Sequence, residues 1–339
     1  MAGRRLRGRS RARRPGRAAD ALPGRAGGRV TGRAVAIVGP TAVGKSAMAV
    51  RLAEAFGGEV VSLDSRQLYR RLEIGTAKPT ADERARVRHH LIDVAEPDQP
   101  LAVPDVQALA VAAIRDIVSR GRLPIVAGGT GQYVRAVVEG WTIPPVAPDP
   151  ALRAELEAFA RAAGPPALHA RLARVDPLAA ARIDARNVRR VVRALEVHAR
   201  TGEPISTVQA RAGSPFAWLI VGLELPRPVL YARIDARIDA MIEAGLEDEV
   251  RALVAAGYDL GLPALRSVGY QEWRAHLAGE VDVAAVVQLI RRNTRRLVRM
   301  QDAWFKRDDP AIHWVDVSDP EAAYADIHAR VRAFVADGG

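Results

Sequence analysis

The chain has 339 residues, 50 of them basic and 39 acidic, and no cysteine. That length holds a full core with room for two domains, or for one domain carrying an insertion. The missing cysteines exclude disulfides, thiolate metal sites and cysteine nucleophiles, and no charge-free run is long enough to span a bilayer.

The formal charge of +11 is concentrated at one end. Residues 1–33 carry eleven arginines against Asp20 alone, whereas the rest of the chain balances 39 basic against 38 acidic groups. A basic pI is therefore no sign of a nucleic-acid partner, and any attraction must come from local patches or from the tail. The tail, rich in Arg, Gly and Ala, has too few apolar residues to fold, so 1–33 is expected to be disordered. A transit peptide, a phosphate-binding arm or an over-extended translation start are the alternatives. A reducing, cytoplasmic setting suits a cysteine-free chain, and a monomer is the default expectation.

In chain order, "RAVAIVG" reads as a buried parallel strand, and "KSAMAVRLAEAF" directly after the next loop has apolar residues at helical spacing. "GGEVVSLDS" is a second strand ending near Asp64. After the helix "VQALAVAAIRDIVSR", a third strand, "LPIVAGG", runs into the glycine turn 128–131. From Trp141 a proline-rich bend leads into Ala- and Arg-rich helical segments, and strand character returns in "FAWLIVGLEL" and "AIHWVDV". This alternation predicts a P-loop NTPase-like α/β fold, a parallel sheet flanked by helices, with a helical insertion. The expected boundaries are 34–141 and 216–325 for the core and 142–215 for the insertion. Ligands of such sheets bind at the carboxyl ends of the strands, where all three Gly or Asp turns lie.

Gly39, Gly44, Lys45 and Ser46 have the spacing of a phosphate-cradling loop. Backbone N–H groups of Gly39, Thr41, Ala42, Val43 and Gly44 frame such a loop, and Pro40, without an N–H, shapes it. The following helix adds its positive end, Lys45 a compact cation, and Ser46 a ligand for Mg2+. Lysine choice is informative here. The chain has 47 arginines and only three lysines, Lys45, Lys78 and Lys306, and a point charge fits between phosphates where a planar guanidinium does not. For Asp64, magnesium ligand and general base are both open. A P-loop kinase would place a Walker-type acid after the third strand, but "LPIVAGGTG" ends in glycines. A noncatalytic RNA-binding protein is a further alternative.

Nine blocks in order resemble the tRNA dimethylallyltransferase family: "GPTAVGKS" at 39, "DSRQLY" at 64, "IGTAKP" at 74, "HHLIDV" at 89, "GGTGQY" at 128, "RRVVRALEV" at 189, "RIDARIDAMIEAGLEDEV" at 233, "SVGYQEW" at 267 and "MQDAWF" at 300. The resemblance implies that the loop holds the diphosphate of dimethylallyl diphosphate and that the acceptor is an adenine beside the anticodon in the tRNA anticodon loop. It implies Asp64 as the base, Lys45 and Thr41 on the diphosphate, Thr130 beside the reacting centre and Arg237 on the leaving group. It assigns tRNA contacts to Asp64, Ser65, Arg66, Gln67, Arg189, Arg190, Arg193, Arg266, Gly269, Tyr270, Gln271, Gln301 and Trp304. Family members usually carry Lys-Arg-Gln where this chain has Arg299, Met300 and Gln301.

The residue types suit that chemistry. An exocyclic amine is a weak nucleophile that a positioned carboxylate assists, and cations offset the charge on a departing diphosphate. An anticodon-loop base must leave its stack to reach a buried centre. Basic groups with stacking surfaces read such loops: here Arg291, Arg292, Arg295, Arg296 and Arg299 ahead of Trp304, and Arg186 with Arg189, Arg190 and Arg193. Arg233 shares a helix face with Arg237 and reads as a solvated residue. The pair His89 and His90 lacks the spacing of a zinc site.

Overall fold

The computed structural model describes residues 31–337, positions 145 and 210 excepted. The expectation of disorder for 1–33 falls almost wholly outside these residues; Gly32 and Arg33 already belong to the first strand.

Six strands form one parallel sheet: β1 (Gly32–Val38), β2 (Glu59–Ser62), β3 (His89–His90), β4 (Pro124–Gly128), β5 (Phe216–Glu224) and β6 (Ile312–Asp316), in the order β3-β2-β4-β1-β5-β6. β1 and β4 lie centrally, and Ala34–Val38 have no exposure at all. A strand covered on both faces must be apolar throughout, which is why both read as continuous apolar runs. Each fully buried Leu, Ile or Val adds about 1.5–3 kcal/mol relative to exposure.

The sheet is flanked by helices. α1 (Lys45–Phe56) follows the loop after β1, α2 (Ala81–Arg86) precedes β3, α3 (Val103–Ser119) precedes β4 and α4 (Gly131–Val138) follows it. α2 starts at a capping box in which Thr80 and Glu83 satisfy each other's backbone N–H groups. Residues 150–208 hold α5 (Pro150–Ala163), α6 (Pro165–Val175), α7 (Pro177–Arg182), α8 (Val188–Thr201) and α9 (Ile205–Val208). These helices have their own apolar cluster around Leu156, Leu168, Leu172, Val191 and Val192, separate from the main core. Prolines at the first turn of α5, α6 and α7 suit positions whose N–H has no helical partner. The two chain crossings of this segment meet at Trp141 and Arg211, which form an antiparallel bridge.

Beyond β5 come α10 (Arg227–Glu243), α11 (Leu246–Ala255), α12 (Trp273–Leu277), α13 (Val283–Asp302) and, after β6, α14 (Pro320–Ala336). α14 buries Ala323, Ile327 and Val331 in the main core, which thus extends past residue 325. No described helix is long and apolar enough to cross a membrane.

Candidate active site

The loop between β1 and α1 has a shape only certain residues allow. Gly39 sits at φ +139°, and a Cβ there would lie 2.5 Å from the Leu223 carbonyl oxygen. Gly44 caps α1 in a left-handed conformation, φ 106°, and no side chain covers the first N–H groups of the helix. Ala42 is also left-handed, φ 64°, a conformation that costs a non-glycine residue energy and marks a constrained loop. The loop thereby leaves helix-end amides open toward a cleft, the arrangement that binds anions.

That cleft has a volume of about 400 Å³. Thr41, Ala42, Gly44, Lys45 and Ser46 line one side of it, and Arg233 and Arg237 of α10 border it with Asp64 and Gln67. Lys45 donates to the Pro40 carbonyl at 2.7 Å. Burial lowers the Lys45 pKa to about 8; the Asp64 carboxylate counters this and Arg237 adds to it. Burial likewise lowers the Arg237 pKa, against the pull of Asp64. Lys45, Lys78, Arg233 and Arg237 thus border one cavity against the carboxylates of Asp64 and Glu83, with net positive charge for an anion. Gly39, Pro40 and Val43 do not border this cleft, and the Val43 side chain is core.

A second cleft, about 490 Å³, adjoins the first. Thr41, Ala42, Asp64, Thr76, Gly129 and Arg237 border both. Its remaining wall contains Ser65, Arg66, Thr130, Arg266, Gly269, Gln271, Gln301 and Trp304, with Ile234, Ile238, Met241 and Leu297 as an apolar side. Asp64 follows β2. Its Oδ1 accepts the N–H groups of Arg66 at 2.8 Å and Gln67 at 3.4 Å, and Oδ2 has no hydrogen-bond partner among the described residues. Thr130 Oγ1 accepts the Ser65 N–H at 3.0 Å, linking the β2 and β4 turns. The buried Gln67 carboxamide accepts from Ser62 Oγ at 2.8 Å and donates to the Ala77 carbonyl at 3.1 Å.

Several residues expected at the RNA have partners or burial within the protein. Tyr270 has no exposure; its ring packs against Gly75 and its hydroxyl donates to Glu249 at 2.7 Å. Arg193 is committed to Glu196 at 2.6 Å and the Val146 carbonyl at 3.1 Å. Burial works against the charged Glu196, yet Arg153, the Asp149 amide and Arg193 hold its pKa at about 2. Arg291 and Arg295 of α13 pair with Asp239 and Asp235 of α10, each at 2.5 Å. Arg189, Arg190, Arg292, Arg296 and Arg299 are exposed and make no ion pair among the described residues, and Arg190 lies 6.0 Å from the Trp304 ring centroid. Arg66 donates to the Pro263 and Ala264 carbonyls at 2.7 and 3.0 Å, tying the Asp64 turn to the 263–269 loop.

The structure also adds residues. Arg233, read above as solvated, borders the first cleft together with Thr76, Lys78 and His89. Lys78 is buried and held by the Tyr69 carbonyl and Glu73, each at 2.7 Å, and by Asp93. The rarity of lysine in this chain, which points to Lys45, applies equally to Lys78. His90 bonds Glu59 at 2.7 Å instead of facing the cleft.

Comparison with known proteins identifies the family. The model of the IPP transferase family matches residues 67–308. A tRNA dimethylallyltransferase of Chloroflexus aurantiacus is 54% identical over 273 residues, 80% of this chain and 92% of that protein. One of Moorella thermoacetica is 47% identical over 309 residues, 87% and 94% respectively. The solved full-length tRNA isopentenylpyrophosphate transferase of Bacillus halodurans superposes with a TM-score of 0.67 at 41% identity, covering 89% of this chain and 96% of that one. A eukaryotic dimethylallyltransferase acting on tRNA gives 0.72 at 25% identity, with 89% and 77% coverage. By sequence over most of its length, and by fold, the chain belongs to the IPP transferase family.

Proposed function

We propose that the chain is a tRNA dimethylallyltransferase, moving a dimethylallyl group from dimethylallyl diphosphate to the exocyclic amine of the adenine 3′ of the anticodon. The observation that carries this reading is the place of Asp64, on the wall common to an anion-binding cleft and a larger, partly apolar one. The relatives named above bear the name of the same activity.

In this reading the diphosphate lies in the first cleft against the loop amides, Thr41, Lys45 and Arg237. The flipped base enters through the second, past Arg266, Gln271 and Trp304. A bond forms from the adenine nitrogen to the allylic carbon while the bond from that carbon to diphosphate oxygen breaks, and the oxygen leaves with the electron pair. The nitrogen's surplus proton passes to Asp64. Lys45, Arg237 and the amides offset the charge that grows on the leaving group. Thr130 keeps the Asp64 turn in register through Ser65.

Magnesium suits the same cleft. Ser46 offers one hydroxyl at the start of α1, and no group of three or more His, Asp or Glu that could hold a metal unaided occurs among the described residues. Mg2+ commonly binds through few protein oxygens, substrate phosphates and water, a donor set this site matches. When bound, it would supply additional charge neutralisation for the diphosphate. Residues 142–215 are assigned here as a tRNA-contacting insertion, through the exposed Arg189 and Arg190. The enzyme is taken to work as a cytoplasmic monomer.

The test is mass spectrometry of the anticodon-loop fragment after incubation with unmodified tRNA, dimethylallyl diphosphate and Mg2+. One dimethylallyl group on the adenine next to the anticodon is expected. Transfer to another nucleotide, or none, would overturn the reading.

A further inference from the structure

Gln301 joins two loops that serve different parts of the reaction. Its Oε1 accepts the Thr41 N–H at 2.9 Å, and its Nε2 donates to the Gly129 carbonyl at 3.0 Å. Thr41 belongs to the loop after β1 and Gly129 to the turn after β4. The next residue in that turn, Thr130, accepts the Ser65 N–H, and Ser65 follows Asp64 directly. One hydrogen-bonded chain therefore runs from the anion-binding loop to the carboxylate, with the Gln301 carboxamide as its first link.

The fit is tight. Gln301 is only 9% exposed, and a Cβ on Gly129 would lie 2.6 Å from its Nε2. Only a side chain that both accepts and donates at this reach completes the link: glutamate would oppose the Gly129 carbonyl, and asparagine is one methylene short. The resemblance places Gln301 at the RNA; it borders the second cleft, and its carboxamide also ties the two loops together. It sits in the last turn of α13, and Arg292, Arg296 and Arg299 lie exposed on that same helix.

Resting on the prenyl-transfer reading, we infer that Gln301 is a positioning residue. It holds the diphosphate-binding loop against the Gly129–Thr130 turn, so that the allylic carbon and the amine served by Asp64 meet in line. It touches no reacting atom. Its effect is on the rate of the bound complex, because misplacement by about 1 Å at a reacting centre costs on the order of 100-fold.

The test compares full-length wild type, Gln301→Leu and Gly129→Ala. Gly129→Ala keeps the Gln301 side chain and crowds its amide most closely, the new methyl lying 3.5 Å from Lys45 Nζ. Steady-state kinetics, filter binding of tRNA and thermal melting are measured on each. Both variants are expected to lose about 10- to 100-fold in kcat while the tRNA dissociation constant stays within about twofold. A kcat within about threefold of wild type in both would overturn the inference, as would a tenfold weaker tRNA complex with kcat kept, which marks an RNA contact. If Gln301→Leu does not fold, Gly129→Ala decides. An inactive wild type would overturn the functional reading itself and this inference with it; an active wild type with unchanged variants overturns this inference alone.

Discussion

Oδ1 of Asp64 accepts the backbone N–H of Arg66 at 2.8 Å, so the same carboxylate both closes its own turn and borders the two clefts. These duties are separable. In Asp64→Asn the amide oxygen can still accept the Arg66 N–H, while the basic lone pairs are gone. The expected result is a fall in kcat of roughly 10²- to 10⁴-fold, the usual worth of a positioned base, with tRNA affinity kept. Single-turnover kinetics alongside filter binding measure both. An unchanged kcat would remove Asp64 from the chemistry.

Lys45 predicts a pH dependence of anion binding. Burial first, with Arg237 adding and Asp64 opposing, brings its pKa from 10.5 down to about 8. Below pH 8 the ammonium is charged in the free protein and attracts diphosphate; above it the charge is lost. Affinity for inorganic diphosphate should therefore fall as pH rises through 8. For stability the sign is opposite. The unfolded lysine holds its proton more tightly, so this group's contribution to stability rises with pH between about 8 and 10.5. Calorimetric titration from pH 7 to 9.5 checks the first claim, and a flat profile would refute it.

The parallel sheet and its three strand-end turns are legible in the sequence, because strands covered on both faces must be apolar end to end and phosphate loops need glycine at fixed places. Lys45 is legible for the same local reason, whereas Asp64 stands out only as a strand-end acid whose role the local pattern leaves open. Other placements leave no local pattern. Arg291 and Arg295 look like an RNA-facing stripe with Arg292, Arg296 and Arg299, but their partners Asp239 and Asp235 lie 52 and 60 residues away on α10. Arg233 differs from a surface arginine only by what α10 faces. β3 is two residues long, too short for any periodicity to register.

That division of the α13 arginines predicts different salt behaviour. Arg296 and Arg299 are exposed and carry no ion pair among the described residues, whereas Arg291 is bound to Asp239. Arg296→Ala and Arg299→Ala should each weaken tRNA binding and reduce the slope of log K against log salt by about 0.7, the value for one single-strand phosphate contact. Arg291→Ala should leave the slope alone and lower the melting temperature. Binding titrations at four salt concentrations distinguish the outcomes; an equal slope change in Arg291→Ala would mean that its ion pair opens onto RNA.

Tyr270 offers the sharpest separation of packing from recognition. Its hydroxyl donates to Glu249, whose carboxylate also takes the N–H groups of Glu73, Ile74 and Gly75 at 2.9, 2.7 and 3.2 Å. The strap 73–75 leads to Thr76, which borders both clefts. Burial, then Glu249, raises the Tyr270 pKa, so the phenol stays protonated and remains a donor at any working pH. Tyr270→Phe removes that donor but keeps the ring against Gly75, and Glu249 retains three amides. The cost should be about 1.5–3 kcal/mol, as for a hydrogen bond to a charged group. It should be visible in denaturant unfolding, with tRNA affinity unchanged because the side chain has no exposed surface. Loss of tRNA affinity at unchanged stability would instead require Tyr270 to leave its pocket when RNA binds.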